Sequence, residues 1–255
     1  MTLLRALHAE LLKLKRTMAL KMVVLAPGIV VLLLLFVASQ APFSTVRRNA
    51  AGGEWMGLAY THLLFWTVLM LPLFITLEAA LVAGLDHAEN QWKSLFARPV
   101  PRWTFYIAKL LIVMCMTAVS ALLLLGGILV VGKLLPLMQD QLKFASPIPL
   151  GPMFRQIAAV TALNFLALSI QHWVSLRWRA FSVAVGTGMA AVVVSYVVIV
   201  TSRQGGWQQY FPWSLPMLAL VNRPVNLEAV LWIGGVLGLL VTLAGCWDFC
   251  RREVQ

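Results

Sequence analysis

The side chains in this sequence that could do chemistry are few, and they sit among apolar neighbours. His62 and Glu78 fall in one apolar stretch, and Asn164, Ser169, Gln171 and His172 fall in another. Polar and ionisable groups inside a membrane-crossing segment are functional candidates by default, because burying them in hydrocarbon is costly. Asn164 and Gln171 are spaced to share one helix face, either bonding to a neighbouring helix or lining a path for substrate. Asp86, His87 and Glu89 are close in sequence, but helical spacing does not aim them at one point. They read as solvated acids near the start of a helix and not as a metal or acid–base centre. Cys246 and Cys250 lie one helical turn apart, and two thiols without further ligands make a poor metal site. With Cys115 as the third cysteine, no disulfide framework is implied. The run from Gly127 to Leu134 approaches a phosphate-binding loop, but Leu134 stands where the Mg²⁺-binding hydroxyl must be. Neither HExxH nor GxSxG occurs, so neither a nucleotide-driven motor nor a hydrolase is written in this chain.

The elements that must position these groups are membrane helices. Of the 255 residues, 61% are hydrophobic and 11% charged, and the mean hydropathy is +0.86. A span needs about 20 apolar residues to cross the bilayer core, and a helix satisfies its own backbone there. Six stretches qualify, near residues 18–36, 60–83, 106–131, 153–176, 181–200 and 227–247. The predicted fold is an all-α polytopic membrane domain covering 1–255, with little room for a soluble module. A cleaved leader is not expected, because the first basic stretch is too long and the apolar run after it can span.

Charge sets the expected orientation. An even number of spans puts both termini on one side. If that side is cytosolic, only Arg47, Arg48, Lys133, Lys143, Arg155, Arg203 and Arg223 lie outside, leaving 13 of the 20 basic residues inside, as the positive-inside rule requires. The net charge of +11 then reflects topology and contact with anionic lipid. A nucleic-acid partner is disfavoured, since the charges flank spans instead of lining a groove.

Two segments stand out on the inner face. Residues 2–17 predict an amphipathic helix lying in the membrane interface. Leu3, Leu7, Leu11, Leu14 and Met18 form one stripe, with Arg5, Lys13 and Arg16 opposite. The loop 86–101 predicts a short helix. Glu89 and Lys93 make a favoured i, i+4 pair, Trp92, Leu95 and Phe96 form an apolar patch, and Pro99 and Pro101 end it. Such a helix either docks into a groove on a soluble partner or rests on the membrane. On the outer side, Trp207, Tyr210, Phe211 and Trp213 predict an interfacial aromatic belt, broken by Pro212 and Pro216.

Four segments together resemble the permease subunits of ABC type 2 exporters, and most closely the small permeases of lantibiotic and bacitracin self-protection transporters. They are HAELLKLKRT with Glu10, Lys13, Lys15 and Arg16; Leu25-Ala26-Pro27 in the first span; the inner loop with Trp92, Pro99, Arg102 and Lys109; and FPWSLP at 211–216. The resemblance implies a bacterial cytoplasmic membrane protein that exports an amphipathic peptide antibiotic or drug. Cytosolic ATPase subunits would carry ATP and Mg²⁺, and this chain would bind no cofactor. A second copy or a sister permease would complete the pore. The N-terminal helix and Glu89, Trp92, Lys93, Leu95, Phe96, Pro99 and Arg102 would transmit the motor's stroke, while Glu78, Asn164, Gln171, His172 and Trp213 are candidates for the substrate path. The runner-up is an ion-coupled carrier working without an ATPase, dependent on Glu78.

Overall fold

The computed structural model describes residues 2–40, 53–88, 101–138, 144, 146–201, 210–220 and 227–251. Among them there is no strand. Helix α1 (Thr2–Leu14) precedes α2 (Met18–Gln40). Next come α3 (Gly53–Phe65), a π-helical turn (Trp66–Met70) and α4 (Leu71–Ala88), followed by α5 (Arg102–Met138). After it run α6 (Leu150–Leu163), α7 (Phe165–Arg177), α8 (Phe181–Thr201), the short α9 (Leu215–Leu218) and α10 (Leu227–Arg251). Six helical stretches are long and apolar enough to cross a membrane: Met18–Gln40, Gly53–Asp86, Arg102–Met138, Leu150–Arg177, Phe181–Thr201 and Leu227–Arg251. They are spans 1 to 6, and the protein is a multi-pass membrane protein.

Sequence explains the interruptions in the spans. Pro72 has no N–H, and its ring crowds the carbonyl four residues back. The backbone therefore widens into the π turn just before it, closed by the Leu71 N–H bonding to Trp66 O. In span 4 the helix breaks for the single residue Asn164, yet the Leu168 N–H still reaches Asn164 O at 3.0 Å. The turn after α1 passes through Arg16, whose φ of 67° is a left-handed conformation costly for a side chain with a Cβ. The Thr17 N–H and hydroxyl both bond to Leu14 O, at 3.1 and 2.8 Å. This closes the helix and turns the chain into span 1.

Span 3 is the spine. At 37 residues it is about 55 Å long, well beyond the apolar core of a bilayer. It packs against α1, spans 1, 2, 4 and 6. Spans 2 and 5 pack together, as do spans 4 and 6. Span 2 is 56% buried over its most apolar window against 22% for spans 1 and 5, so span 2 is interior and spans 1 and 5 are peripheral. Lipid supplies no hydrophobic drive between helices, so close approach at small residues takes its place. A Cβ on Gly188 would run into Thr76, and one on Gly238 into Phe165. Gly234 and Gly238 thus face spans of the same chain, which accounts for their spacing without a partner subunit.

Candidate functional site

The base of the molecule is the end where α1, the foot of span 2 and the head of span 3 meet. Four charged side chains form a closed ring there. Lys109 Nζ donates to Glu10 Oε2 at 2.5 Å and lies 2.5 Å from Asp86 Oδ2, a contact that is ionic and outside hydrogen-bond geometry. Lys13 Nζ donates to Glu10 Oε1 at 2.7 Å and to Asp86 Oδ1 at 2.8 Å. Cation and anion alternate around the ring, so its net charge is zero. The Lys109 and Asp86 side chains are 1% and 0% exposed, while Lys13 closes the solvent side at 28%.

Isolated charges at such depth are costly, and only good pairing geometry offsets that cost. Burial by itself lowers the pKa of Lys13, but the hydrogen bonds and charges of Asp86 and Glu10 outweigh it. The ammonium therefore titrates above its ordinary 10.5.

The ring corrects two expectations. Asp86 is not a solvated acid at the start of a helix. It is buried at the foot of span 2, drawn inward by two lysines distant in sequence. Lys13 is not opposite the apolar face of α1. The face turned to the protein carries Ala6, Glu10 and Leu14, with Leu7 and Lys13 half-buried, while Leu4, Leu11 and Leu12 point outward. The leucine stripe is offset because lipid accepts leucine as readily as the protein does. Lys15 and Arg16 are exposed at the turn after α1.

The segment between spans 2 and 3 leaves the ring two residues after Asp86, at Ala88. Glu89, Trp92, Lys93, Leu95, Phe96 and Pro99 lie outside the described residues. The far side of that segment is anchored again at Arg102, whose guanidinium Nη1 donates to Cys250 O of span 6 at 3.2 Å. Thr104 Oγ1 donates back to Pro101 O at 2.6 Å, tightening the start of span 3. The segment is therefore held at both ends, to α1 through Asp86 and to span 6 through Arg102.

The polar residues expected to line a path have different surroundings. Gln171 Nε2 donates to Ala184 O of span 5 at 2.7 Å. His172 Nε2 lies 3.2 Å from Tyr106 O of span 3. A carbonyl only accepts, so this nitrogen carries the hydrogen, and the ring stands edge-on to Tyr106 at 4.8 Å. Both residues fasten span 4 to its neighbours. Asn164 is buried at the break in span 4, and its Nδ2 has no hydrogen-bond partner among the described residues. Trp213 packs beside Phe211, with ring centroids 5.9 Å apart. Glu78 is fully buried, and neither carboxyl oxygen has a hydrogen-bond partner among the described residues.

Two membrane-level grooves exist apart from these groups. One of about 370 Å³ lies between spans 3 and 4, walled by residues such as Met114, Ala121, Phe154 and Phe165. The other, about 670 Å³, lies between spans 1, 2 and 5, with Leu34, Phe65, Leu69, Val193 and Tyr196 in its wall. Its span 2 side includes Val68 and Leu69 of the π turn, so the widened backbone shapes the groove.

Among the described residues no group of three or more His, Cys, Asp or Glu is placed to hold a metal. Gly127 to Leu134 is continuous helix within span 3, so its amides are engaged and cannot cradle a phosphate.

Asp86 and Lys109 are the buried charged residues that sequence reasoning underweighted. The usable signal was a charge at the edge of each of two apolar runs, next to an amphipathic helix carrying both signs. The family model described as "ABC-2 family transporter protein" matches residues 6–202, well over half of the chain. No curated protein matches it.

Proposed function

The chain belongs to the ABC-2 family of transporter proteins, and from that premise we propose that it is the permease of an ATP-driven exporter that expels an amphipathic peptide antibiotic or drug. In this reading both termini face the cytosol, the membrane is the cytoplasmic membrane of a bacterium, and a separate ATPase docks on segment 89–100. Trp92, Leu95 and Phe96 form the docking face, with Glu89, Lys93 and Pro99 shaping it. A second copy or a sister permease completes the pore.

One observation carries the mechanism: the inner segment is held at both ends. A push on it reaches α1 and the spine through Asp86, Lys109 and Glu10, and reaches span 6 through Arg102. A charge-paired joint suits this role, because ion pairs fix geometry and resist shear where apolar side chains slide. The apolar groove between spans 1, 2 and 5 has the size of a small-ligand site, and its greasy wall suits the apolar part of an amphipathic substrate arriving from the bilayer.

Affinity capture of the tagged chain from membranes tests the partner. A P-loop ATPase is expected with the wild-type chain and lost with Trp92→Glu or Phe96→Glu. Capture of the ATPase by both variants at wild-type level would place docking elsewhere. Survival of co-expressing cells against a panel of amphipathic peptides then tests the substrate class.

The second reading is the ion-coupled carrier, favoured by a single observation, the unpartnered buried carboxyl of Glu78. It requires transport that persists without any ATPase and stops when the ion gradient is collapsed.

A further inference from the structure

We propose that the buried side of the π turn in span 2 is a binding site for a neutral group that both donates and accepts hydrogen bonds, an amide or a hydroxyl of the carried molecule. Three side chains of this stretch are buried, and His62 Nε2, Trp66 Nε1 and Thr67 Oγ1 find no hydrogen-bond partner among the described residues. His62 Nδ1 lies 2.8 Å from Leu58 O. A carbonyl only accepts, so a neutral ring carries its hydrogen on Nδ1 and leaves Nε2 as a bare acceptor. His62 and Trp66 are four residues apart and share a helix face, which makes the side chains bearing this acceptor and the indole donor neighbours. The backbone adds a second acceptor. The Leu71 N–H goes to Trp66 O and Pro72 has none, so Thr67 O receives no N–H from four or five residues further on.

Neighbouring elements bring further donors. Helix α9 packs against both the π turn and α6, and its Met217 shares the groove wall with Phe65, Val68 and Leu69. A Cβ on Gly234 would lie 3.6 Å from Leu215 and 3.9 Å from Leu163, so α9 also reaches the break in span 4. The Asn164 Nδ2 at that break and the Trp213 indole N–H just before α9 are buried donors without a partner among the described residues. Polar groups are costly to bury unmet. Elsewhere in span 4 they are met, by Ala184 O for Gln171 and by Thr242 for Ser169 at 3.1 Å. No Asp, Glu, Lys or Arg occurs in 55–77 of span 2 or 156–176 of span 4, so the chemistry on offer suits a neutral occupant. Phe65 and Val68 wall the membrane groove, while Trp66 and Thr67 are buried. One turn of helix thus presents an apolar face and a polar face, as an amphipathic molecule requires, and π turns are frequent at functional sites. The site stands on these side chains; naming its occupant as the carried molecule rests on the exporter reading.

The test is the unfolding midpoint of the purified full-length chain in an amine-oxide detergent, which has no hydroxyl or amide of its own. The probes are decanamide and decanol, which donate and accept, and methyl decanoate, which only accepts. Decanamide or decanol is expected to raise the wild-type midpoint by about 4 °C or more beyond methyl decanoate, saturating with concentration. Whichever of the two does so identifies the group as amide or hydroxyl. His62→Leu and Trp66→Phe should abolish that difference. Thr161→Val, in the groove between spans 3 and 4, should keep it. Without probe, Thr67→Val should keep or raise the midpoint, because it removes a hydroxyl that has nothing to bond.

Equal shifts with all three probes overturn the proposal, as does a difference that survives in both His62→Leu and Trp66→Phe. Loss of the difference in Thr161→Val also overturns it, by moving the site to the other groove. A clear fall in the midpoint of Thr67→Val contradicts it too, making the hydroxyl a structural one. If the His62 and Trp66 variants do not fold, the wild-type comparison and Thr67→Val still decide. A chain that discriminates the probes but captures no ATPase removes the exporter reading and leaves the site. One that captures the ATPase without discriminating removes the site and leaves that reading.

Discussion

Glu78 and Asp86 lie eight residues apart on span 2, and both are fully buried, yet their surroundings are opposite. Asp86 is clasped by Lys13 and Lys109. Glu78 has no hydrogen-bond partner among the described residues. The contrast separates two uses of a carboxyl in a membrane protein. A paired carboxyl is a joint, fixed by its partners and costly to break. An unpartnered one contributes little to holding the fold, and its retention inside a span points to work on something that passes. On the proposed reading the foot of span 2 is mechanical, and Glu78, about two turns above it, is where substrate or ion dependence should appear.

The largest effect should come from removing the cation at the heart of the joint. Lys109→Met leaves Glu10 and Asp86 buried with only the partly exposed Lys13 between them and is expected to cost about 3–5 kcal/mol, read as a lower unfolding midpoint in detergent. Adding Glu10→Gln and Asp86→Asn removes the stranded charges and should recover more than half of that loss. If Lys109→Met is as stable as the wild-type chain, Asp86 is no more a joint than Glu78.

Arg102→Ala should come next, at about 1.5–3 kcal/mol, because a charged donor to a partly buried carbonyl is lost. The same measurement reads it, with looser attachment of span 6 as the structural consequence. Glu78→Gln should change stability by less than about 1 kcal/mol, as few contacts depend on the charge, while lowering transport several-fold. A stability loss matching that of Lys109→Met would show that Glu78 is a joint after all.

The smallest effect is expected at Lys13, which is partly exposed, and it sharpens the comparison through pH. Lys13→Met should cost about 1 kcal/mol or less. The folded pKa of Lys13 is raised above 10.5, so its contribution is fully present below that value and is lost as pH climbs through the raised one. Lys13 should therefore contribute no pH dependence between pH 6 and pH 9. Above pH 10.5 the wild-type chain should lose this contribution, and Lys13→Met should not.

The legible and illegible parts of the sequence divide by range. The six membrane helices followed from apolar runs alone, because length and hydropathy are local properties. Pro72 is a cue for the π turn that the sequence reading did not use, since a proline inside a span must disturb its backbone. The ring was not readable, because Glu10 and Lys109 are 99 residues apart and Lys13 and Asp86 are 73 apart. Only tertiary packing brings them together. The orientation of α1 was misjudged from a sound leucine period, as a membrane surface offers two apolar environments and periodicity does not choose between them. Gln171 and His172 were visible as unusual polar residues, but their role in tying span 4 to spans 5 and 3 depends on backbone carbonyls, which sequence does not locate.

The most direct test of the joint uses the complex of this chain with its ATPase in proteoliposomes, comparing the wild-type chain with Glu10→Gln, Asp86→Asn, Lys109→Met. This triple variant keeps only the partly exposed Lys13 charge of the ring and carries no ionic fastening. The account predicts that the ATPase still binds and still hydrolyses ATP while transport per ATP falls at least several-fold. Transport per ATP equal to that of the wild-type chain would contradict it.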